Sequence, residues 1–460
     1  MSNTGANGGE VEPVRVNLGR IPALWPHSAV FVANIDRIFY GDRQKTEHLR
    51  ANVTGFSSYG TRMFPILGIL YAGQNLLLLN EEVKPAIREY FSRMVHLNLP
   101  DTLILPPREA AEGDTSFERS GGVASEVRLH PAEIMDGYVT DPELERFAEA
   151  TGKGLLNSYV SSRNANDKVL LMRHLDEQGL PAFDGGEATP GRNLEKVLDA
   201  LKSKGYRKAV IRSALGASGF GMSIVDFHSG EKPVLPDFLY REERVLCQGW
   251  IEPGLMGIDR IISPSVQFFC HDADHITLFD VTEQLLSHQS VHEGNIVPPP
   301  SFPIITGNPI HDELLRQARV VCLWVASTGY RGTGSIDFLV YEQAGVPVAK
   351  VCEVNARVTG ATYPSLLARR FQPRGAWVMR NYTFEGCAHT SGFLDTLSGH
   401  DLLYEPGQNT GILPINVITD REENLRKAQI LFLAPHPREC GELVLDFPRA
   451  LPFGCIHDRD

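Results

Sequence analysis

Positive charge is in short supply in this 460-residue chain: 44 lysines and arginines face 56 aspartates and glutamates, a net charge of −12. Such a surface repels nucleic acid and anionic membrane, so neither is expected as a main partner. Cysteine is scarce too. Seven are scattered along the chain, an odd number with no C-x-x-C pair. That argues against a disulfide framework or a thiolate zinc site and fits reduced thiols in a cytoplasm. Long apolar runs are missing. The longest, residues 64–79, is interrupted by Gly68, Gly73, Gln74 and Asn75 and is too short to cross a bilayer. The polar, acidic first residues show no charged-then-apolar leader pattern, so no export signal is expected. G-x-S-x-G, H-E-x-x-H and any recognisable cysteine–histidine frame are absent as well, which leaves hydrolase chemistry without support.

What remains is an ordinary globular composition, 42% hydrophobic and 22% charged, with length for about three domains. Residues 1–13 read as a flexible tail. Beyond it, 29–34, 75–80 and 101–106 read as buried strands and 60–73 and 83–97 as helices. Strand–helix–strand alternation implies a parallel α/β layer. The acidic, Gly/Ser-rich stretch 109–126 reads as a loop, and 142–159 as a helix with its connection. Residues 166–181 form a helix that Asp167 caps and that Gly179 and Pro181 end; 193–206 form another. Strands are expected at 208–214, 221–227, 245–251, 265–270, 275–281, 335–341 and 348–355, with a long helix at 311–328. After residue 400, short strands accompany one helix near 421–430.

The strongest chemical signal lies in residues 332–360. Setting Asp337 opposite Glu353 centres a hairpin turn on Gly345 and leaves a loop of three or five residues. Side chains alternate along a strand, so Glu353 and Asn355 fall on the face of Asp337. Two carboxylates and an amide oxygen make a hard-oxygen site suited to Mg²⁺, which keeps waters and also binds phosphates. The competing reading is a half-solvated strand with its polar residues outward. Arg357 shares the same face parity. Its permanently charged fork suits a transferring phosphoryl group, against the plainer reading of a surface ion pair.

A second signal is strand–loop–strand over 208–225, with Gly216, Ser218, Gly219 and Gly221 in the loop. Small residues let successive backbone N–H groups approach phosphate oxygens. No Gly-Lys-Ser/Thr follows, and G-x-x-G-x-G leading into a strand is not the dinucleotide fingerprint. Alone, the loop is a flexible hairpin. Lys168 starts the 166–181 helix and Arg212 precedes the loop; each suits a phosphate, or is a solvated charge. HDADH (271–275) reads as a solvated hairpin turn. His288 and His292 are structural histidines or a base toward an incoming amine.

In order, NDK (166–168), VIRSALGASGFG (210–221), VLCQGWI (245–251), SIDF (335–338) and CEVNARVTGATYP (352–364) resemble the motifs of the ATP-grasp superfamily of carboxylate–amine ligases. The resemblance covers roughly 160–375. It implies ATP held between the sheets of two α+β subdomains. Lys168 and Arg212 would meet its phosphates, under the loop of Gly216, Ser218, Gly219 and Gly221. The family's second basic residue is usually lysine; here it is arginine. Gln248, Trp250 and Ile251 would flank adenine, Glu252 or Asp259 would bind the ribose, and Asp337, Glu353 and Asn355 would hold Mg²⁺ or Mn²⁺. The implied reaction is amide formation through an acyl phosphate. A kinase, a carboxylase or a non-catalytic nucleotide-binding module are the alternatives.

The whole chain is similar to the pheganomycin-type peptide ligases. That implies a pre-ATP-grasp α/β domain over 14–160, a lid subdomain over 161–245, a metal-bearing subdomain over 246–399 and a small C-terminal α+β domain over 400–460. Residues 282–299 would shape the substrate pocket. The substrates would be small molecules: an amino-acid-like carboxylate and an amino acid or peptide amine. A homodimer is the base-rate expectation.

Overall fold

The computed structural model describes residues 12–22, 24–52, 57–105, 121–217, 220–229, 235–286, 292–301, 307–385 and 389–457. Three sheets organise them. The first is parallel, with strands in the order Asp101–Ile104, Leu76–Leu79, Ala29–Val32, Ile134–Gly137 and Gly154–Leu155. Ala29–Val32 and Leu76–Leu79 are wholly buried, as strands covered on both faces must be. Phe31 and Leu77 face one core, Val30 and Leu78 the other.

The second sheet is antiparallel: Gly185–Ala188, Val245–Gly249, Lys208–Ala217, Phe220–Asp226. The third has eleven strands and carries the hairpin Gly332–Gln343/Val346–Asn355. Val14–Val16 adds to this large sheet, parallel to Ile276–Leu286, and not to the five-stranded one. At the other end Ala376–Glu385 pairs with Leu425–Ala434, so segments beyond residue 400 continue the same sheet.

Most expected elements form, and the exceptions have physical reasons. Residues 60–73 are not one helix. A 3₁₀ turn, Ser57–Met63, and a single turn, Leu67–Leu70, flank Pro65, which cannot donate to a continuous ladder. The helix expected near 421–430 is a strand, Leu425–Ala434. Its residues Ala428–Ala434 are all buried between two neighbouring strands, and that burial overrides the helix-forming charged residues before it. The helix lies later, at Pro437–Ala450. Gly121–Leu129, placed in a loop by its composition, is helical and buries Val123 and Val127 one turn apart. The rest of that expected loop, 109–120, and tail residues 1–11 lie outside the described residues.

Among the described residues six cysteines are unpaired, and Cys387 lies outside them. Among the described residues no helix is long and apolar enough to cross a membrane.

Candidate functional site

The hairpin puts Asp337 opposite Glu353, as the sequence suggests. The turn, however, has two residues. Ala344 and Gly345, at φ of 50° and 79°, link Gln343 to Val346. Positive φ at both centres matches the right-handed twist of paired strands. The register is reconciled by a bulge: Phe338 pairs with Val351 and Asp337 with Glu353, leaving Cys352 as the extra residue. The bulge keeps the three oxygen-bearing groups together. The Asn355 amide nitrogen donates to Asp337 Oδ2 at 2.8 Å and to Glu353 Oε1 at 3.4 Å. Asp337 Oδ1 accepts from the Ser265 hydroxyl at 2.7 Å.

Lys168 reaches this group from another element. Asp167 caps its helix, Lys168–Glu177, by accepting from the Val169 and Leu170 amides, and is itself held by Arg244 at 2.6 Å. Lys168 Nζ lies 3.0 Å from Glu353 Oε2 and donates to the Gly216 carbonyl at 2.8 Å. Arg212 donates to the Gln248 side chain at 2.7 Å and to the Cys352 carbonyl at 3.1 Å. Arg357 donates to Asn166 Oδ1 at 3.1 Å, so the first residue of the NDK motif positions the last cation of the hairpin motif.

These charges act unequally on the two acids. Burial opposes the Glu353 charge, yet Lys168, Arg212 and Arg357 overcome it and hold the carboxyl down at about 2. For Asp337 the Ser265 and Ser335 hydroxyls and Arg357 act in the same direction but do not prevail. Burial, then the neighbouring Glu353, pushes it up to about 6. Burial also lowers Lys168 from the usual lysine range. A divalent cation fits this arrangement: it supplies the charge that Asp337 lacks, and the donors are hard oxygens. Turned by half a rotation, the Asn355 amide presents oxygen in the same place. Among the described residues no cluster of three His, Cys, Asp or Glu side chains is placed to hold a metal. The candidate set is therefore two carboxylates and an amide, few ligands, as Mg²⁺ accepts.

A cavity of about 470 Å³ opens between the four-stranded and eleven-stranded sheets. Lys168, Arg212, Gly216, Gly221, Asp337 and Glu353 supply its polar lining, and Gln248, Trp250 and Ile251 its hinge side. Gly221 has φ +86° and an added Cβ would sit 3.1 Å from Ser213, so a side chain there would be strained and crowded. Phe183, Ile261 and Gln284 also line the cavity. The sequence motifs did not point to the first two; Gln284 falls in the segment expected to shape a pocket.

Other expectations fare differently. Glu252 does not line the cavity; it is 3.0 Å from Lys208. Asp259 is exposed on Ile258–Ile262. Ser218, Gly219 and His288 lie outside the described residues, as does the His292 side chain. HDADH is a turn in which His275 bonds Asp272 at 2.9 Å, not a metal cluster.

Comparisons with known proteins bear on the fold. No family model matches the chain. The [butirosin acyl-carrier protein]–L-glutamate ligase of Niallia circulans is 26% identical over 203 residues, 44% of this chain and 45% of that ligase. The match thus spans under half of the curated relative. Among solved structures, the biotin carboxylase domain of Hydrogenobacter thermophilus 2-oxoglutarate carboxylase, with MgADP, ADP and bicarbonate, has a TM-score of 0.57 at 14% identity, covering 94% of this chain and 91% of that one. The ADP complex of Staphylococcus aureus N5-carboxyaminoimidazole synthetase has a TM-score of 0.51 at 11% identity, covering 94% and 100%. The fold is the ATP-grasp fold, with a cavity between two sheets where the motif order puts the nucleotide. By sequence the chain is similar, within that class, to a ligase.

One feature behind the Gly-rich loop was not legible in the sequence. Lys45, on Arg43–Asn52, crosses to the four-stranded sheet and donates to Ser213 at 2.6 Å and Glu242 at 2.5 Å, and to the Leu215 carbonyl at 3.4 Å. Glu242 also accepts from Ser213 and from the Ala214 amide. The base of the loop is thereby tied to the helix Arg43–Asn52. Lys45→Met is expected to weaken ATP binding about tenfold, the scale of a hydrogen bond to a charged group. Titration calorimetry with a non-hydrolysable ATP analogue measures it, and unchanged affinity refutes the tie.

Proposed function

We propose that the protein is an ATP-dependent ligase that joins a carboxylate to an amine and releases ADP and phosphate. One observation carries this reading: Asp337, Glu353 and Asn355 gather on one hairpin face while Lys168 and Arg212 reach the same cavity from two other elements. A carboxylate is a poor electrophile, because oxide is a poor leaving group. Transfer of the γ-phosphoryl group to a carboxylate oxygen breaks the bond to ADP and gives an acyl phosphate. An amine then attacks the carbonyl carbon, phosphate leaves, and the nitrogen loses a proton.

Phosphoryl transfer asks the protein for position and charge more than covalent help. Asp337, Glu353 and Asn355 would hold Mg²⁺, which supplies charge neutralisation at the phosphates when bound. Lys168 and Arg212 would bind phosphate oxygens, and Arg357, oriented by Asn166, the transferring group. Phe183 and Trp250 would enclose the base. The relative's name specifies glutamate and an acyl-carrier protein; here we infer an amino-acid-like carboxylate, and an amino acid, peptide or carrier-bound amine.

The test is a panel of amino acids with ATP and Mg²⁺, scored by mass spectrometry for products lighter than the summed substrates by one water. ADP release that depends on both substrates, with such a product, is expected. A phosphorylated or carboxylated product in its place would assign a kinase or carboxylase. No turnover with any pair, despite ATP binding, would favour a nucleotide-binding module.

A further inference from the structure

A second cavity, of about 950 Å³, lies on the surface, and its lining does not overlap that of the ATP-grasp cavity. Three separate segments build it: Arg20 and Ile21, residues 369–375, and Pro435 with His436. Its charged lining is entirely basic, in a chain whose net charge is −12. Arg369 is spent within the fold, since it grips Asp280 through two nitrogens. Arg20, Arg370, Arg374 and His436 are exposed, and no carboxylate among the described residues pairs with them.

The ordinary explanation is helix chemistry. Arg369 and Arg370 close Thr362–Phe371, where cations complement the negative end. That accounts for two of the cations and not for Arg374, which lies beyond the helix end, or for Arg20 and His436, which come from other segments. The floor is also pinned. Arg369 donates to the Pro373 and Gly375 carbonyls at 3.2 and 2.9 Å. Gly19, at φ +83°, presses so near Pro373 that a Cβ would lie 2.5 Å from its carbonyl oxygen. Arg20 is thereby fixed beside the loop that carries Arg374.

We propose that this groove docks an acidic peptide segment of a partner protein. Charge complementarity identifies the occupant: guanidinium forks pair with carboxylates, and the rest of an acidic surface repels the same ligand. Ile21, Pro373 and Pro435 give the groove apolar lining, which a peptide uses and an inorganic anion does not.

Fluorescence anisotropy with a labelled deca-glutamate peptide tests the proposal on the full chain. Binding that weakens steeply with salt is expected, and at least a tenfold loss in Arg370→Glu/Arg374→Glu. Arg370→Gln/Arg374→Gln should show a smaller loss with an unchanged melting profile, which separates lost charge from misfolding. Binding of a fluorescent ADP analogue should be the same in all forms, so failure here is distinct from failure of the ligase reading. No peptide binding, or binding indifferent to these substitutions, overturns the proposal. So does pyrophosphate binding that the same substitutions abolish when the peptide does not bind, which would make the groove a phosphate site.

Discussion

Glu353→Gln is expected to lower the rate of ATP-dependent coupling by about 10²-fold or more, the scale of losing an electrostatic stabiliser of a transition state. The substitution keeps shape and removes charge. It takes away one of two carboxylates facing the proposed ion and leaves Lys168 without the acid 3.0 Å away. Lys168 then keeps the neutral Gly216 carbonyl, 2.8 Å away, and burial already disfavours its charge. Two of the groups that would organise the phosphates are disturbed together. Initial rates of ADP release with saturating carboxylate and amine measure the effect. Wild-type turnover in Glu353→Gln would refute the assignment of this hairpin.

Arg369→Met is expected to cost about 3–5 kcal/mol of stability, as removing one partner of a buried ion pair does. Arg369 and Asp280 have side-chain exposures of 5% and 3%. Without the guanidinium, Asp280 keeps two neutral donors, the Trp377 indole N–H at 3.2 Å and the Val281 amide at 3.1 Å. The residual cost is that of a buried charge without a counter-charge. Denaturant unfolding compares the two forms, and a loss below about 1 kcal/mol would contradict this account. The double variant Arg369→Met/Asp280→Leu should recover most of the loss, because both charges then leave together. Neither residue lies in the ATP-grasp cavity, so the native fraction of each variant should still bind nucleotide.

Much of the site was legible because its chemistry is written in short local patterns. NDK encodes a cap, a cation and, in Asn166, an anchor for Arg357. Alternation, once Asp337 is set opposite Glu353, puts Asp337, Glu353 and Asn355 on one face. The two-residue turn was not legible, since it places a non-glycine residue, Ala344, at positive φ and needs the bulge at Cys352 to restore register. Lys45 and Glu242 are 197 positions apart and meet only in three dimensions. Leu425–Ala434 misleads for a related reason: its charged start favours a helix, and its strand state depends on partners at Ala376–Glu385 and Gly411–Thr419.

The pairing of Val14–Val16 with residues 276–278 bears on how the chain is made. A ribosome releases the first strand long before its mate exists, so this edge must wait while the parallel sheet beside it matures. Thr61 meets Asn416 at 2.6 Å, and Tyr90 meets the Tyr404 carbonyl at 2.9 Å, contacts that form only after residue 416 has emerged. Nascent-chain protection against protease should therefore rise abruptly at that point, and fragments severed near residue 400 should depend on chaperones that the 460-residue chain does not need.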